Sequence, residues 1–170
     1  MKYIYTFFLV FTAIIFTSCG SHQVQYKPLV FEIMPFSKFE SFPTSGKPGK
    51  HILIEEHFST DLQNALRWKN FSIENGPVIS KQVKDDDERN FIIGIFYLYN
   101  REFANAESHL SMASNNPNLI QAKILLLDAM LLQDKEYDYL TAYQELFDGT
   151  SNPIYKNLIK ERFTYYRYGI

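Results

Sequence analysis

The sequence predicts a mainly α protein built of antiparallel helix pairs, preceded by an irregular N-terminal part with extended pieces and a short hairpin. Three observations carry this. From residue 86 onward, apolar-periodic runs cover approximately 86–99, 103–115, 118–133, 137–148 and 153–166. They are separated by Asn100-Arg101-Glu102, Asn115-Asn116-Pro117, Asp134-Lys135 and the stretch from Asp148 to Pro153, and breaks this short turn each helix back alongside the one before. Two of the runs are apolar on every side: Phe91 to Tyr99 has no charged residue, and Ile124 to Leu132 has only Asp128. Between Pro28 and Lys50, Phe31, Phe36, Phe39 and Phe42 are interleaved with Pro28, Pro35, Pro43 and Pro48, a composition that disfavours helix and biases the chain to extended geometry.

With 170 residues, 46% hydrophobic and 21% charged, the chain has the balance of one globular domain and not of a disordered tail. Fifteen Phe and twelve Tyr supply bulky core material. Seventeen basic against nineteen acidic residues lack the cationic excess that holding a phosphate backbone requires, which argues against a nucleic-acid partner. The single cysteine, Cys19, excludes an internal disulfide and a multi-thiolate metal site.

Taken in order, Lys2 is followed by an uncharged stretch from Tyr3 to Phe16, the pattern of a signal peptide. A spanning helix needs about 20 apolar residues, so this run targets and does not span. It ends in Thr17-Ser18-Cys19-Gly20-Ser21, small residues on both sides of the only cysteine. That arrangement resembles a bacterial lipobox, with Phe16 where an aliphatic residue is favoured. The resemblance implies cleavage after Ser18, a diacylglycerol on the Cys19 thiol and often a further acyl chain on the new amino terminus. It implies a place in the bacterial cell envelope, with the outer membrane facing the periplasm as the expectation, and Gly20 in place of Asp after the cysteine does not favour inner-membrane retention. An ordinary secretory signal with an incidental cysteine, or a buried thiol in a helix, are the plainer alternatives. Each buried acyl methylene is worth about 0.8 kcal/mol, so two or more chains hold a protein firmly on a bilayer. Loss of residues 1–18 removes Lys2 and no acid, leaving sixteen bases against nineteen acids and no polybasic surface to add to the anchor.

Residues 20–27 suit a polar tether, and 19–50 together form the tether and the Phe/Pro-rich extended segment. Residues 51–84 read as a small mixed subregion. His51 to Glu56 suggests a short strand; Ser59 or Thr60 with Asp61 opens a helix to about Arg67 whose one face holds Phe58, Leu62, Ala65 and Leu66. Asn75-Gly76 lies between short apolar alternations from Phe71 to Ile79, the signal of a small hairpin with Pro77 at a strand start or edge. Asp85 to Glu88 puts acidic residues at the positive end of the next helix, which opens the helical domain 85–170.

Within that domain Phe103 and Tyr137 lie 34 residues apart, each opening the second helix of a pair. Residues 87–120 resemble a tetratricopeptide repeat: Ile93, Gly94 and Tyr97 in the first helix, Phe103, Ala106, Leu110 and Ala113 in the second, Pro117 at the end. Residues 121–154 resemble it less closely, with Leu127, Leu131, Tyr137 and Phe147 in core places but Asp128 and Leu140 where small residues are usual. A plain helical bundle is the alternative. The final helix is expected to present Lys156, Lys160, Glu161 and Arg162 to water as a cap.

The resemblance implies a concave apolar trough along Phe91, Ile95, Leu98, Leu125, Ala129 and Leu132. Helices apolar on all sides need a cover, either the chain's own segment from Pro28 to Pro43 or a peptide or helix of a protein partner. If the cover is internal, recognition moves to Tyr139, Tyr143, Tyr165, Tyr166 and Arg167. His22, His51, His57 and His109 include no pair at a known metal-ligand spacing, and no phosphate loop, dinucleotide fingerprint or nucleophile elbow is present, so neither a catalytic residue nor a cofactor is assigned. The expectation is a lipid-anchored, non-enzymatic binding or assembly module. The alternatives are a small envelope enzyme or accessory subunit using the His51 to His57 region, and a purely structural lipoprotein.

Overall fold

A computed structural model describes residues 30–34, 50–54, 57–67, 75–133 and 135–168. The leader, Cys19, the tether and most of the Phe/Pro-rich segment lie outside them. Among the described residues two strands precede seven helices, which confirms the mainly α class. Strands β1 (Val30–Met34) and β2 (Lys50–Ile54) run parallel, with Val30 opposite Lys50 and Met34 opposite Ile54. Both fall where extended chain was expected.

Ser59 caps α1 (Thr60–Leu66): its Oγ accepts from the Leu62 N–H at 3.1 Å. The Ser59 N–H and hydroxyl both donate to the carboxylate of Glu88, which is buried in the first turn of α3 (Asp86–Tyr99). Asp85 caps α3 in turn, accepting from the Glu88 N–H at 2.9 Å. Asp85 and Glu88 have the spacing of a capping box, yet Glu88 reaches across to the neighbouring helix, so two helix starts are locked together.

The hairpin expected at Asn75-Gly76 is not there, because Gly76–Ser80 is a helical turn, α2. Its other expected arm, residues 71–74, lies outside the described residues. Pro77 permits either outcome: its fixed φ and missing N–H suit the first turn of a helix as well as a strand edge. Gly76 serves close approach and not a reverse turn, since a Cβ there would lie 3.3 Å from the Phe96 ring.

After α3 the chain ends its helix in two bonds, Arg101 N–H to Leu98 O at 3.0 Å and Glu102 N–H to Tyr97 O at 2.9 Å, with Arg101 at φ 64°. This is a Schellman ending with arginine in the place glycine prefers. Helices α4 (Phe103–Ala113), α5 (Ile120–Leu131), α6 (Glu136–Gly149) and α7 (Pro153–Tyr168) follow close to their expected bounds. Each packs on its predecessor across a short connection, α3 also touches α5, and α5 also touches α7. A Cβ at Gly94 would lie 2.6 Å from Leu110 Cγ, so the small residue is required by the approach of α3 and α4, and Ala106 is buried in the same core.

Two apolar cores share α5. The first joins Leu53, Phe58, Leu62, Ile79 and Val83 to Phe91, Ile95, Leu98 and Leu110, with Ala122, Leu125 and Ala129 from α5. The second joins Ile124 of α5 to Ile54, Tyr155, Leu158 and Ile159. The two-residue period of a strand sends Leu53 into one core and Ile54 into the other. Gln121, 2% exposed, pins that point: its Oε1 accepts from the Ile54 N–H at 2.8 Å and its Nε2 donates to the Ile54 carbonyl, so the amide pairs with β2 as a neighbouring strand would.

The cap expectation for α7 holds fully only at Lys160, since Lys156 and Glu161 are half-buried and Arg162 is turned inward. Arg162 does not face water but donates from Nη2 to Asp128 Oδ2 at 2.7 Å, with 13% and 1% of the two side chains exposed. Asp128, out of place as a small-residue substitute, is explained by this partner. Lys160 is exposed as expected, whereas Lys156 lies 4.6 Å above the Phe147 ring.

Candidate functional site

The six residues expected to line a trough are not an open surface. Phe91, Ile95, Leu98, Leu125 and Ala129 are buried in the first core, and Leu132 is half-buried at its edge. Their cover is intramolecular and comes from α1, α2 and β2: the Phe58 ring lies 5.7 Å from that of Phe91, and Leu62, Ala65, Leu66, Ile79 and Val83 close the same cluster. The sequence pointed correctly to helices needing shelter on every side. It looked to residues 28–43, of which only β1 is described, or to a partner for the shelter, and missed that Leu53, the stretch from Phe58 to Leu66, Ile79 and Val83 provide it.

The aromatic surface is also more enclosed than expected. Tyr139 is buried, and Tyr143 lies 4.3 Å from Phe163 centroid to centroid, part of a stack with Tyr139 and Phe147. Burial, followed by the nearby Asp148 carboxylate, pushes the Tyr143 phenol above its ordinary pKa. The side chains of Tyr165, Tyr166 and Arg167 lie outside the described set.

Of the histidines, His57 is exposed at φ 69°, and Glu55, Glu56 and the side chain of His51 are not described. His109 Nδ1 pairs with Asn90 Oδ1 at 2.9 Å and its ring stacks on Tyr97, while burial lowers its pKa. Among the described residues no group of three or more His, Cys, Asp or Glu side chains is placed to hold a metal ion.

Among the described residues the helices leave open a groove of about 450 Å³ between α5 and α6. Ile120, Lys123, Leu126 and Leu127 form one wall; Ala142, Glu145, Leu146 and Gly149 form the other; Ser114 and Pro117 close one end. The α6 wall follows i, i+3, i+4, i+7, so one helical stripe faces the groove. That stripe was legible as periodicity, but its exposure was not, because α5 has no polar stripe to show which side remains uncovered. Lys123 and Glu145 are exposed, and neither makes a hydrogen bond or ion pair within the described structure. On a neighbouring edge, Glu107 Oε2 accepts from both Lys135 Nζ and Gln133 Nε2 at 2.6 Å, tying the end of α5 to α4.

The site is therefore apolar on its floor, with one charge of each sign on facing walls. Such an arrangement can hold an apolar side chain and orient its flanks; nothing in it supplies a nucleophile paired with a base. No helix among the described residues is long and apolar enough to cross a membrane. Comparison with known proteins finds no family model, curated protein or solved structure that matches the chain.

Proposed function

We propose that this protein is an envelope lipoprotein, held at the outer membrane by acyl chains on Cys19, that binds or assembles another protein through a tetratricopeptide-like helix stack without catalysing a reaction. The observation that carries the reading is the order of helix contacts. Helix α3 touches α4 and α5, and α5 touches α6 and α7, so the first helix of each pair meets both its own partner and the first helix of the next pair. Nearest-neighbour stacking of a repeat array would give this order of contacts, with α7 in the place of a cap, and that agreement supports the reading. The anchor rests on the leader pattern and the position of the only cysteine. The work of the module is surface complementarity, with dissociation slowed by buried apolar contacts and orientation set by rim charges.

The closed trough favours a second reading, a structural lipoprotein with no dedicated partner. Crosslinking of intact envelopes followed by mass spectrometry separates the two. Under the binding reading a discrete protein crosslinks to the helical domain, whereas under the structural reading no specific crosslink forms. Cys19→Ala should leave the leader uncleaved and abolish acylation; an unchanged mature mass and unchanged membrane retention would contradict lipidation.

A further inference from the structure

We infer that the α5–α6 groove receives one amphipathic helix of a partner protein, whose apolar stripe is flanked by an acidic residue on one side and a basic residue on the other. This rests on the binding-module reading and names the partner's chemistry. The groove lies on the α6 side of α5, away from the trough, which is core. Its α6 wall spans residues 142–149, about 10 Å at 1.5 Å per residue, two turns of helix. Both walls are helices whose main-chain groups are largely bonded internally, so they offer no edge on which an extended strand can pair; a helix brings its own hydrogen bonds satisfied. Lys123 and Glu145 stand on facing walls beside Ile120, Leu126, Leu127 and Leu146 and do not pair with each other. A helix seated between them meets a positive wall on one flank and a negative wall on the other, as flanking charges do beside a coiled-coil seam.

The test uses the purified full chain in detergent and three labelled helical peptides that share a leucine stripe and differ only in flanks: one acidic and one basic, both acidic, or both basic. Fluorescence anisotropy should rank the mixed peptide first for the wild type. Lys123→Glu leaves two acidic walls and should move the preference to the all-basic peptide, Glu145→Lys should move it to the all-acidic one, and the double exchange should restore the mixed one, each by about two- to fivefold and less at high salt. Neither exchange threatens the fold, since both side chains are exposed and an acid early in α5 or a base late in α6 suits the helix dipole. Gly149→Phe should weaken all three, because Gly149 lines the groove and a Cβ there meets nothing within 4 Å, which leaves room for a ring that competes with the peptide. An unchanged ranking across the variants, or no discrimination by the wild type, overturns the assignment. If envelope crosslinking finds a partner that the exchanged variants still hold as tightly as the wild type does, the groove assignment alone falls. If it finds none, the binding-module reading falls.

Discussion

The α3–α4 pair and the α5–α6 pair, with α7 as its next neighbour, close in opposite ways. In the first, Gly94 lets α3 approach until Leu110 fills the space where a Cβ would stand, and Ala106 is buried in the same core, so contact there is close and apolar, beside the polar His109–Asn90 contact of the same two helices. In the second, Asp128 and Leu140 replace the small residues, and the interval is filled by Tyr139, Tyr143 and Phe163, whose rings stack at 4.3 to 6.2 Å, and fixed by the buried Asp128–Arg162 pair. Close apolar contact tolerates little change of volume, while an ion pair in a dry setting depends on both partners being present. The difference teaches that a degenerate repeat need not be a loose one: what it loses in close approach it replaces with ring stacking and one directional bond.

Breaking the ion pair should have the largest effect. Burial raises the Asp128 pKa, and Arg162 pulls it back down by its charge and hydrogen bond. Arg162→Met removes the opposing pull and leaves a buried carboxylate, at a cost of about 3–5 kcal/mol near neutral pH in denaturant unfolding. The folded-state pKa of Asp128 then rises further above its unfolded value. The group's favourable contribution is therefore full below the ordinary carboxylate range and lost as pH rises through the folded pKa, so the penalty should shrink in acid. Asp128→Leu with Arg162→Leu should recover most of the loss, because apolar residues fill the site without a charge to desolvate.

On the other pair, Gly94→Ala should cost about 1–3 kcal/mol by overpacking against Leu110, and a double-mutant cycle with Leu110→Ala should show coupling between the two sites. A smaller loss, about 1 kcal/mol, is expected of Ser59→Ala, which removes the α1 cap and one of the donors to Glu88; thermal unfolding would read it as a drop of roughly 2–4 °C. Gly149→Ala should stabilise the chain by about 0.5 kcal/mol, since the added methyl meets nothing and helix propensity rises.

Local rules made most elements legible. Ser59, Asp85 and Gly94 could each be read because a cap or a close approach demands a small set of residue types at a fixed spacing. The helix pairs followed from periodicity and short breaks. Three features were hidden for physical reasons. Arg101 holds a left-handed helix end that sequence reasoning looks for at Gly or Asn. Arg162 looks solvated on its own helix, and its burial depends on Asp128, 34 residues away. Pro77 fits two backbone settings, and the contact of Gly76 with Phe96 selects the helical one. The groove was illegible in the same way, because a helix apolar all round does not say which face its neighbours leave uncovered.

The most direct test of two unequal cores sharing α5 is hydrogen exchange of the full chain, read by mass spectrometry, for the wild type and Arg162→Met. Amides of α3, α4 and α5 should exchange last and together, those of α6 and α7 earlier as a unit, and the substitution should accelerate α6 and α7 while leaving α3 and α4 unchanged. Acceleration spread equally over all five helices, or earlier exchange of α3 than of α7, would contradict it.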